Sequence, residues 1–199
     1  ISDLIVHIDT DAVNSVTTMT GLRDIDPDEV PEIDGVKILT LLGYNETGDK
    51  EPVDYIWDPE SEAFDDGGSV IQSNGQLTGR WIMVQPTEHC DSRHFGVFPS
   101  ASYNTDYQTY GIQKLFDYCN AKGIRPFFNG SPDYRWFRYS NISVSASEID
   151  VSDGTMFYDD GTSTVTGNWN GNPRFYNGNT TVVSCDEART SWNAAAYTS

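Results

Sequence analysis

Residues 105–128 read TDYQTYGIQKLFDYCNAKGIRPFF, and this stretch decides the expected fold of the 199-residue chain. Apolar side chains recur in it at positions i, i+3, i+4 and i+7, which predicts a helix over residues 105–122 with one buried stripe. Residues 124–128 follow at once as an apolar run typical of a buried strand. The stripe consists of Ile112, Leu115, Phe116 and Cys119.

The ends of this helix carry their own signals. Thr105, with Gln108 three residues later, has the form of a capping box. Gly123 can adopt the left-handed conformation that commonly ends a helix. Gly111 lies inside the helix, where glycine costs up to about 1 kcal/mol relative to alanine. This is the only helix that the sequence predicts.

The segment before the helix is expected to form a small meander of three or four strands over residues 36–84. Residues 36–44 and 55–58 are short apolar runs typical of strands. Asn74-Gly75 suits a type I′ turn, which needs positive φ at both central positions, and therefore predicts a β-hairpin. Its second strand alternates, with two residues on each face: Trp81 and Met83 on one, Arg80 and Ile82 on the other.

After the helix, short β-prone pieces alternate with Asn, Gly, Ser and Asp turns. Strands of this kind suit a sandwich, a barrel or a β-solenoid, and periodicity does not choose among them. No repeat of fixed length is visible. The pieces are residues 134–139, 142–144, 156–158, 162–166, 175–176 and 180–184.

The charge of the chain is strongly negative and unevenly spread. It has 30 acidic residues against 12 Lys and Arg, a net charge of −18. Residues 1–91 contribute −16 of this (4 bases, 20 acids) and residues 92–199 only −2 (8 bases, 10 acids). Such a chain is a poor ligand for nucleic acid or an anionic membrane face. The acidic half is either a solvated surface or a docking surface for a basic partner.

Residues 1–35 are expected to form an acidic, extended arm or linker, because Pro27 and Pro31 discourage both helix and central strand. An acidic run at residues 24–28 superficially resembles a calcium loop, but it lacks the glycine at loop position 6. We therefore expect no metal site there.

Cofactor and redox chemistry have no motif in this sequence. Cys90, Cys119 and Cys185 form no CxxC pair, so neither a zinc site nor a disulfide framework is expected, and Cys119 is predicted to be a buried thiol. There is no apolar span of 18 residues. We expect no cofactor, no metal and no membrane insertion.

Catalytic chemistry is not expected within residues 1–199. Cleavage of a glycan usually needs two carboxylates on one cleft. Neighbours on a strand point to opposite faces, so Asp159 and Asp160 would not share a site. The other pairs are Asp150 with Asp153 and Asp186 with Glu187.

Aromatic residues are the better candidates for a binding role. Tyr134, Trp136 and Tyr139 are predicted either to stack on sugars or to pack in the core or in an interface between subunits. Strand alternation would place Trp136 and Arg138 on one face and Phe137 on the other.

The order of several motifs resembles the N-terminal part of pectate-lyase-like, right-handed parallel β-helix proteins, especially phage tailspikes and tail fibres. The resemblance spans about residues 36–128, and each motif is weak alone. The motifs are LTLLGY at residues 39–44, YIWD at 55–58, DDGGSVI at 65–71, GRW at 79–81, FG at 95–96 and IQKLFDY at 112–118.

The resemblance implies a mainly β protein. A small N-terminal β-meander and hairpin module would precede a capping α-helix and the first coils of a right-handed parallel β-helix, whose exposed apolar end the helix covers. The expected division is an arm over residues 1–35, a β module over 36–90, and the helix with the start of the β-helix over 91–199. Since a full β-helix needs more coils, the chain is expected to be part of a larger protein.

By the same resemblance, the chain is expected to be a structural or attachment segment of a phage tailspike or tail fibre. The implied partners are further copies of the chain in a homotrimer, a phage tail or capsid protein at the N-terminal arm, and a host surface polysaccharide at the downstream β-helix. The implied location is the virion. The alternative is the N-terminal part of a bacterial extracellular polysaccharide lyase or glycoside hydrolase with this scaffold.

Overall fold

A computed structural model describes residues 14–102, 108–130, 133–176 and 180–183 of the chain. The chain divides into two compact units. The N-terminal unit comprises residues 1–65 and 70–84, and the C-terminal unit comprises residues 66–69 and 85–199. The N-terminal unit thus ends near residue 84. From the sequence, the β module was expected to end at residue 90.

Among its described residues, the N-terminal unit is a mixed sheet with one short α-helix. Its sheet has the order β1-β3-β4-β6-β5, with β2 paired to β3. Only the pairing of β1 with β3 is parallel. The elements are β1 (Ser15–Val16), α1 (Met19–Asp24), a 3₁₀ turn (Pro27–Glu29), β2 (Glu32–Ile33), β3 (Val36–Leu41), β4 (Val53–Asp58), β5 (Val70–Ile71) and β6 (Arg80–Met83).

The expected extended arm is wrong for residues 14–35, which are folded. Thr18 caps α1 by accepting a hydrogen bond from the Gly21 N–H at 3.1 Å. Pro27 occupies the first turn of the 3₁₀ segment, where a missing N–H costs nothing. Leu22 and Val30 are buried. Pro27 and Pro31 were expected to discourage regular structure. Instead, Pro27 begins a short 3₁₀ turn and Pro31 follows its end.

The predicted hairpin is confirmed, but its turn is not of the predicted type. β5 and β6 pair antiparallel, with Ile71 opposite Trp81. Gly75 has φ of +83°, whereas Asn74 is not among the positive-φ residues, so the two do not form a type I′ turn. Trp81 and Met83 are both buried, but so is Arg80, which alternation places on the opposite face.

The C-terminal unit contains one long helix and eight strands among its described residues. The helix ends at Gly123, whose φ of +68° confirms the predicted left-handed cap. The elements are β7 (His89–Asp91), a 3₁₀ turn (Ser92–Phe95), α2 (Thr109–Lys122), β8 (Arg125–Phe128), β9 (Trp136–Tyr139), β10 (Ser143–Val151), β11 (Met156–Asp159), β12 (Ser163–Asn170), β13 (Arg174–Tyr176) and β14 (Thr180–Val183).

These strands form two sheets in which every pairing is parallel. The five-stranded sheet has the order β14-β12-β10-β8-β7, and the three-stranded sheet has the order β13-β11-β9. From β8 onward the chain passes alternately from one sheet to the other. Register partners Trp136, Met156 and Arg174 are 20 and 18 residues apart, so no repeat of fixed length was visible. The mainly β class is confirmed. Of the sandwich, the barrel and the β-solenoid, the solenoid fits parallel strands that alternate between two sheets.

Helix α2 begins later than predicted. It starts at Thr109 with Gln108 as its N-cap, and no side chain caps it. The Gln108 amide instead donates to the Phe98 carbonyl. Gln108 therefore does not occupy the third helical position that a capping box requires, and Thr105 lies outside the described residues.

The apolar stripe of α2 is confirmed, since all four of its residues are at most 2% exposed. It lies against the interior between the two sheets: Phe116 approaches Phe128 with ring centroids 6.2 Å apart. Ile112 and Phe116 line the same small interior cavity as Phe157 and Trp169. Strand β7, which precedes the helix, was not predicted; it pairs with β8 and extends the five-stranded sheet.

Several motifs that carry the family resemblance build turns. The Asp49 carboxylate accepts hydrogen bonds from the N–H groups of Tyr44, Asn45 and Glu46 at 2.7, 2.8 and 3.1 Å. In the C-terminal unit, a Cβ added to Gly68 would lie 2.4 Å from the Phe95 ring. These residues are thus required by backbone geometry and close packing.

Candidate functional site

The outer side of the three-stranded sheet is the candidate site, and we name it the aromatic face. Burial alternates along β9 and β11, so every second residue points away from the interior. Six side chains lie in two register rows across the three strands. The rows are Trp136, Met156 and Arg174, and then Arg138, Tyr158 and Tyr176.

Two rings of the aromatic face are in contact. The centroids of Trp136 and Tyr176 are 4.5 Å apart, with an angle of 53° between their planes. The Arg138 guanidinium donates to the Asp160 carboxylate at 2.7 Å. The face therefore offers apolar ring surface beside cationic groups, a combination that suits sugar rings and acidic groups.

A polar cleft of about 280 Å³ lies at one end of the aromatic face, lined by Ala101, Asp133, Arg135, Trp136 and Met156. The Arg135 Nε is buried and has no hydrogen-bond partner among the described residues.

Of the three residues singled out from the sequence as aromatic candidates, Tyr139 lies in the interior. Tyr134 is 54% exposed, and Trp136 is half-buried on the aromatic face. Tyr139 is 1% exposed and contacts the Phe157 ring, with centroids 6.2 Å apart. The predicted alternation of Trp136 with Phe137 is confirmed. Arg135 and Tyr176 were not among the predicted site residues, because their placement depends on strand register.

The described carboxylates that were considered for catalysis have different surroundings. Asp159 is fully buried, whereas its neighbour Asp160 is exposed on the other side of the strand. The Asp150 carboxylate accepts from the Asn170 amide at 2.8 Å and lies 3.2 Å from the Arg125 Nε. Asp153 is exposed on a turn. Asp186 and Glu187 lie outside the described residues.

Two groups with shifted pKa values lie away from this face. Burial raises the pKa of the Tyr118 phenol above its ordinary value, with the neighbouring Cys90 and Cys119 as lesser causes. Hydrogen bonding to the Asp65 carboxylate raises the pKa of Arg23. Cys90 and Cys119 are both buried thiols, which confirms the prediction for Cys119.

No group of three or more His, Cys, Asp or Glu side chains among the described residues could hold a metal ion. None of the helices in the described part of the chain is long and apolar enough to cross a membrane.

A second surface, in the N-terminal unit, carries exposed apolar side chains. Ile38, Ile56 and Ile82 are register partners on β3, β4 and β6, and Val70 on β5 continues the row. Ile38 is 45% exposed and Ile56 is 38% exposed. We name these four residues the apolar row. Isolated exposed apolar residues are ordinary, whereas a contiguous apolar row is a candidate interaction surface.

Comparison with known proteins gives matches at the level of fold. No protein-family model matches the sequence, and no curated protein matches it. Among solved structures, the tailspike of the Acinetobacter phage vB_ApiP_P1 matches with a TM-score of 0.59 at 12% identity, over 87% of this chain and 32% of that one. Tailspike protein 2 of the Escherichia coli O157:H7 bacteriophage CAB120 gives 0.56 at 15% identity, over 92% and 25%.

A third match is tailspike gp49 of the Acinetobacter baumannii bacteriophage Fri1, a capsular polysaccharide depolymerase. It gives a TM-score of 0.52 at 16% identity, over 82% of this chain and 42% of that one. The chain thus spans less than half the length of each of these tailspikes. The fold of the described chain is similar to that of phage tailspike proteins.

Proposed function

We propose that the chain is a structural and attachment segment of a phage tailspike or tail fibre, leading into a glycan-binding, right-handed parallel β-helix. One observation carries the proposal: parallel strands alternate between two sheets and follow directly on a helix that packs against their interior. The similarity of fold to three tailspikes supports it.

In this proposal the C-terminal unit contacts the host polysaccharide through the aromatic face. Trp136 and Tyr176 present ring surface to the C–H groups of sugars, and Arg138 with Asp160 offers charged hydrogen-bonding groups to hydroxyls.

The N-terminal unit attaches the segment to a phage tail or capsid protein. Of its four basic residues, Arg23 is paired with Asp65, and Lys50 and Arg80 are buried. Its exposed charge is therefore almost entirely negative, so the apolar row fits a partner with an apolar centre and a basic rim.

Assembly as a homotrimer on the virion completes the proposal, and sedimentation velocity tests it. The open reading frame that encodes the chain is expressed, and its product is analysed at micromolar concentration. A trimer is expected. A strictly monomeric product would contradict the spike assignment.

A further inference from the structure

We propose that the cleft beside Trp136 binds a carboxylated sugar residue, with the Arg135 guanidinium as the ligand of its carboxylate. This inference rests on the glycan-binding role proposed above, and it names the class of sugar that the site prefers.

Arg135 lines the cleft and carries a positive charge. Among the described residues, no carboxylate forms an ion pair with it. The ion pairs of described arginines involve Arg23, Arg93, Arg125 and Arg138 instead. The Arg135 Nε is buried and has no acceptor among the described residues. Because Arg135 itself lines the cleft, a ligand carboxylate there would offset the positive charge of the guanidinium.

The neighbours of Arg135 suit the rest of a sugar ring. A guanidinium presents two parallel N–H groups that match the two oxygens of a carboxylate. Trp136 lines the same cleft and offers apolar ring surface, while the Asp133 carboxylate can accept from sugar hydroxyls. The cleft, at about 280 Å³, lies at the small end of the range of roughly 300–1,000 Å³ for ligand pockets. It therefore suits one sugar residue.

The charge of the whole chain makes this local arrangement selective. Residues 1–91 carry 16 of the 18 net negative charges and repel an acidic glycan. Around the cleft and the aromatic face, Arg135, Arg138 and Arg174 stand against Asp133 and Asp160. An acidic sugar is thus drawn to this part of the surface more strongly than a neutral sugar, which has no net charge to interact with the arginines.

The test is a titration of the 199-residue chain with sodium D-glucuronate, D-glucose and sodium acetate. The indole N–H signal of Trp136, assigned with Trp136→Phe, is followed by NMR. Glucuronate is expected to shift the signal saturably, with a Kd at least about tenfold lower than those of glucose and acetate. The signal of Trp169, which is buried between the sheets, should not move and reports an intact fold.

Two variants separate a local contact from general electrostatics. Arg135→Gln is expected to lose the preference for glucuronate over glucose. Lys122→Gln removes the same charge at an exposed position of α2, outside the cleft and the aromatic face, so it should keep the preference.

Three results would overturn the inference: equal Kd values for glucuronate and glucose, equal losses in both variants, or acetate binding as tightly as glucuronate. The lack of any shift up to about 100 mM glucuronate would also overturn it. The trimer measurement tests the proposed function separately.

Discussion

The rings of Phe137 and Phe157 stack inside the C-terminal unit, with centroids 5.6 Å apart and planes at 24°. The two residues are register partners on the parallel strands β9 and β11. Phe157 repeats the contact with Phe175 on β13, at 5.3 Å and 19°. Like side chains thus lie above one another from one passage of the chain to the next, and such ring pairs add about 0.5–1.5 kcal/mol beyond their burial.

Phe157→Ala is expected to lower the free energy of unfolding of the C-terminal unit by about 3–5 kcal/mol, because it leaves a cavity in the centre of this stack. Urea unfolding followed by tryptophan fluorescence measures the loss. Thr162→Ala, at an exposed position, is the control and should stay within about 0.5 kcal/mol of the parent. A loss below about 1 kcal/mol for Phe157→Ala would argue against the packed interior.

Gly111→Ala should destabilise the protein, although alanine is the better helix former. An added Cβ would lie 2.5 Å from the Phe95 carbonyl oxygen and 2.6 Å from the Val97 Cγ2. We expect a loss of about 1–3 kcal/mol in the same unfolding assay. A gain approaching about 1 kcal/mol, the propensity difference, would show that α2 does not pack closely on residues 95–97.

Tyr118→Phe is expected to raise the free energy of unfolding at pH 7 by about 1 kcal/mol. The Tyr118 hydroxyl is buried and has no hydrogen-bond partner among the described residues. Tyr110→Phe, at a 57% exposed position, should have no effect. A loss of stability in Tyr118→Phe would mean that the hydroxyl has a partner in solution.

The pH dependence of stability provides a second readout at Tyr118. Burial raises the pKa of this phenol in the folded state, so above pH about 10 the unfolded chain loses the proton first. The contribution of Tyr118 to stability is therefore complete below pH about 10 and is lost as the pH rises toward the folded-state pKa. Tyr118→Phe should show a shallower decline above pH about 10 than Tyr110→Phe.

Asp65→Ala is expected to destabilise the N-terminal unit by about 1–3 kcal/mol. The Asp65 carboxylate pairs with both terminal nitrogens of Arg23 and also accepts from the Gln72 N–H at 2.9 Å. The control is Asp28→Ala, which removes a largely exposed carboxylate 3.3 Å from the Lys37 Nζ and should cost at most about 1 kcal/mol. Thermal unfolding measures the stability of both variants. Equal losses of stability in Asp65→Ala and Asp28→Ala would contradict the structural role of Asp65.

The sequence predicted those elements in which one periodic signal dominates. The stripe of α2 follows the helical period, and Gly123 marks its end, so both were found. Strand β7 was missed because His89, Cys90 and Asp91 have no apolar pattern of their own. These residues form a strand because they pair in parallel with residues 125–127 of β8, which come much later in the sequence.

Predictions from local motifs were wrong where contacts between distant residues determine the structure. The capping-box pattern ends at Gln108, but the amide of that residue bonds to the Phe98 carbonyl. The aromatic cluster at residues 134–139 was recognised as a group, yet alternation turns Tyr139 into the interior. The contact between Trp136 and Tyr176 joins residues 40 positions apart (176 − 136), which no local pattern could bring together.

Disulfide trapping tests the parallel stacking most directly. Ser143 and Thr164 are register partners on β10 and β12, and adjacent strands lie about 4.8 Å apart, within the reach of a disulfide. In the 199-residue chain, the double variant Ser143→Cys with Thr164→Cys should cross-link under mild oxidation. Ser143→Cys with Thr166→Cys, two positions out of register, should not. Cross-linking of the second pair but not the first would contradict the account.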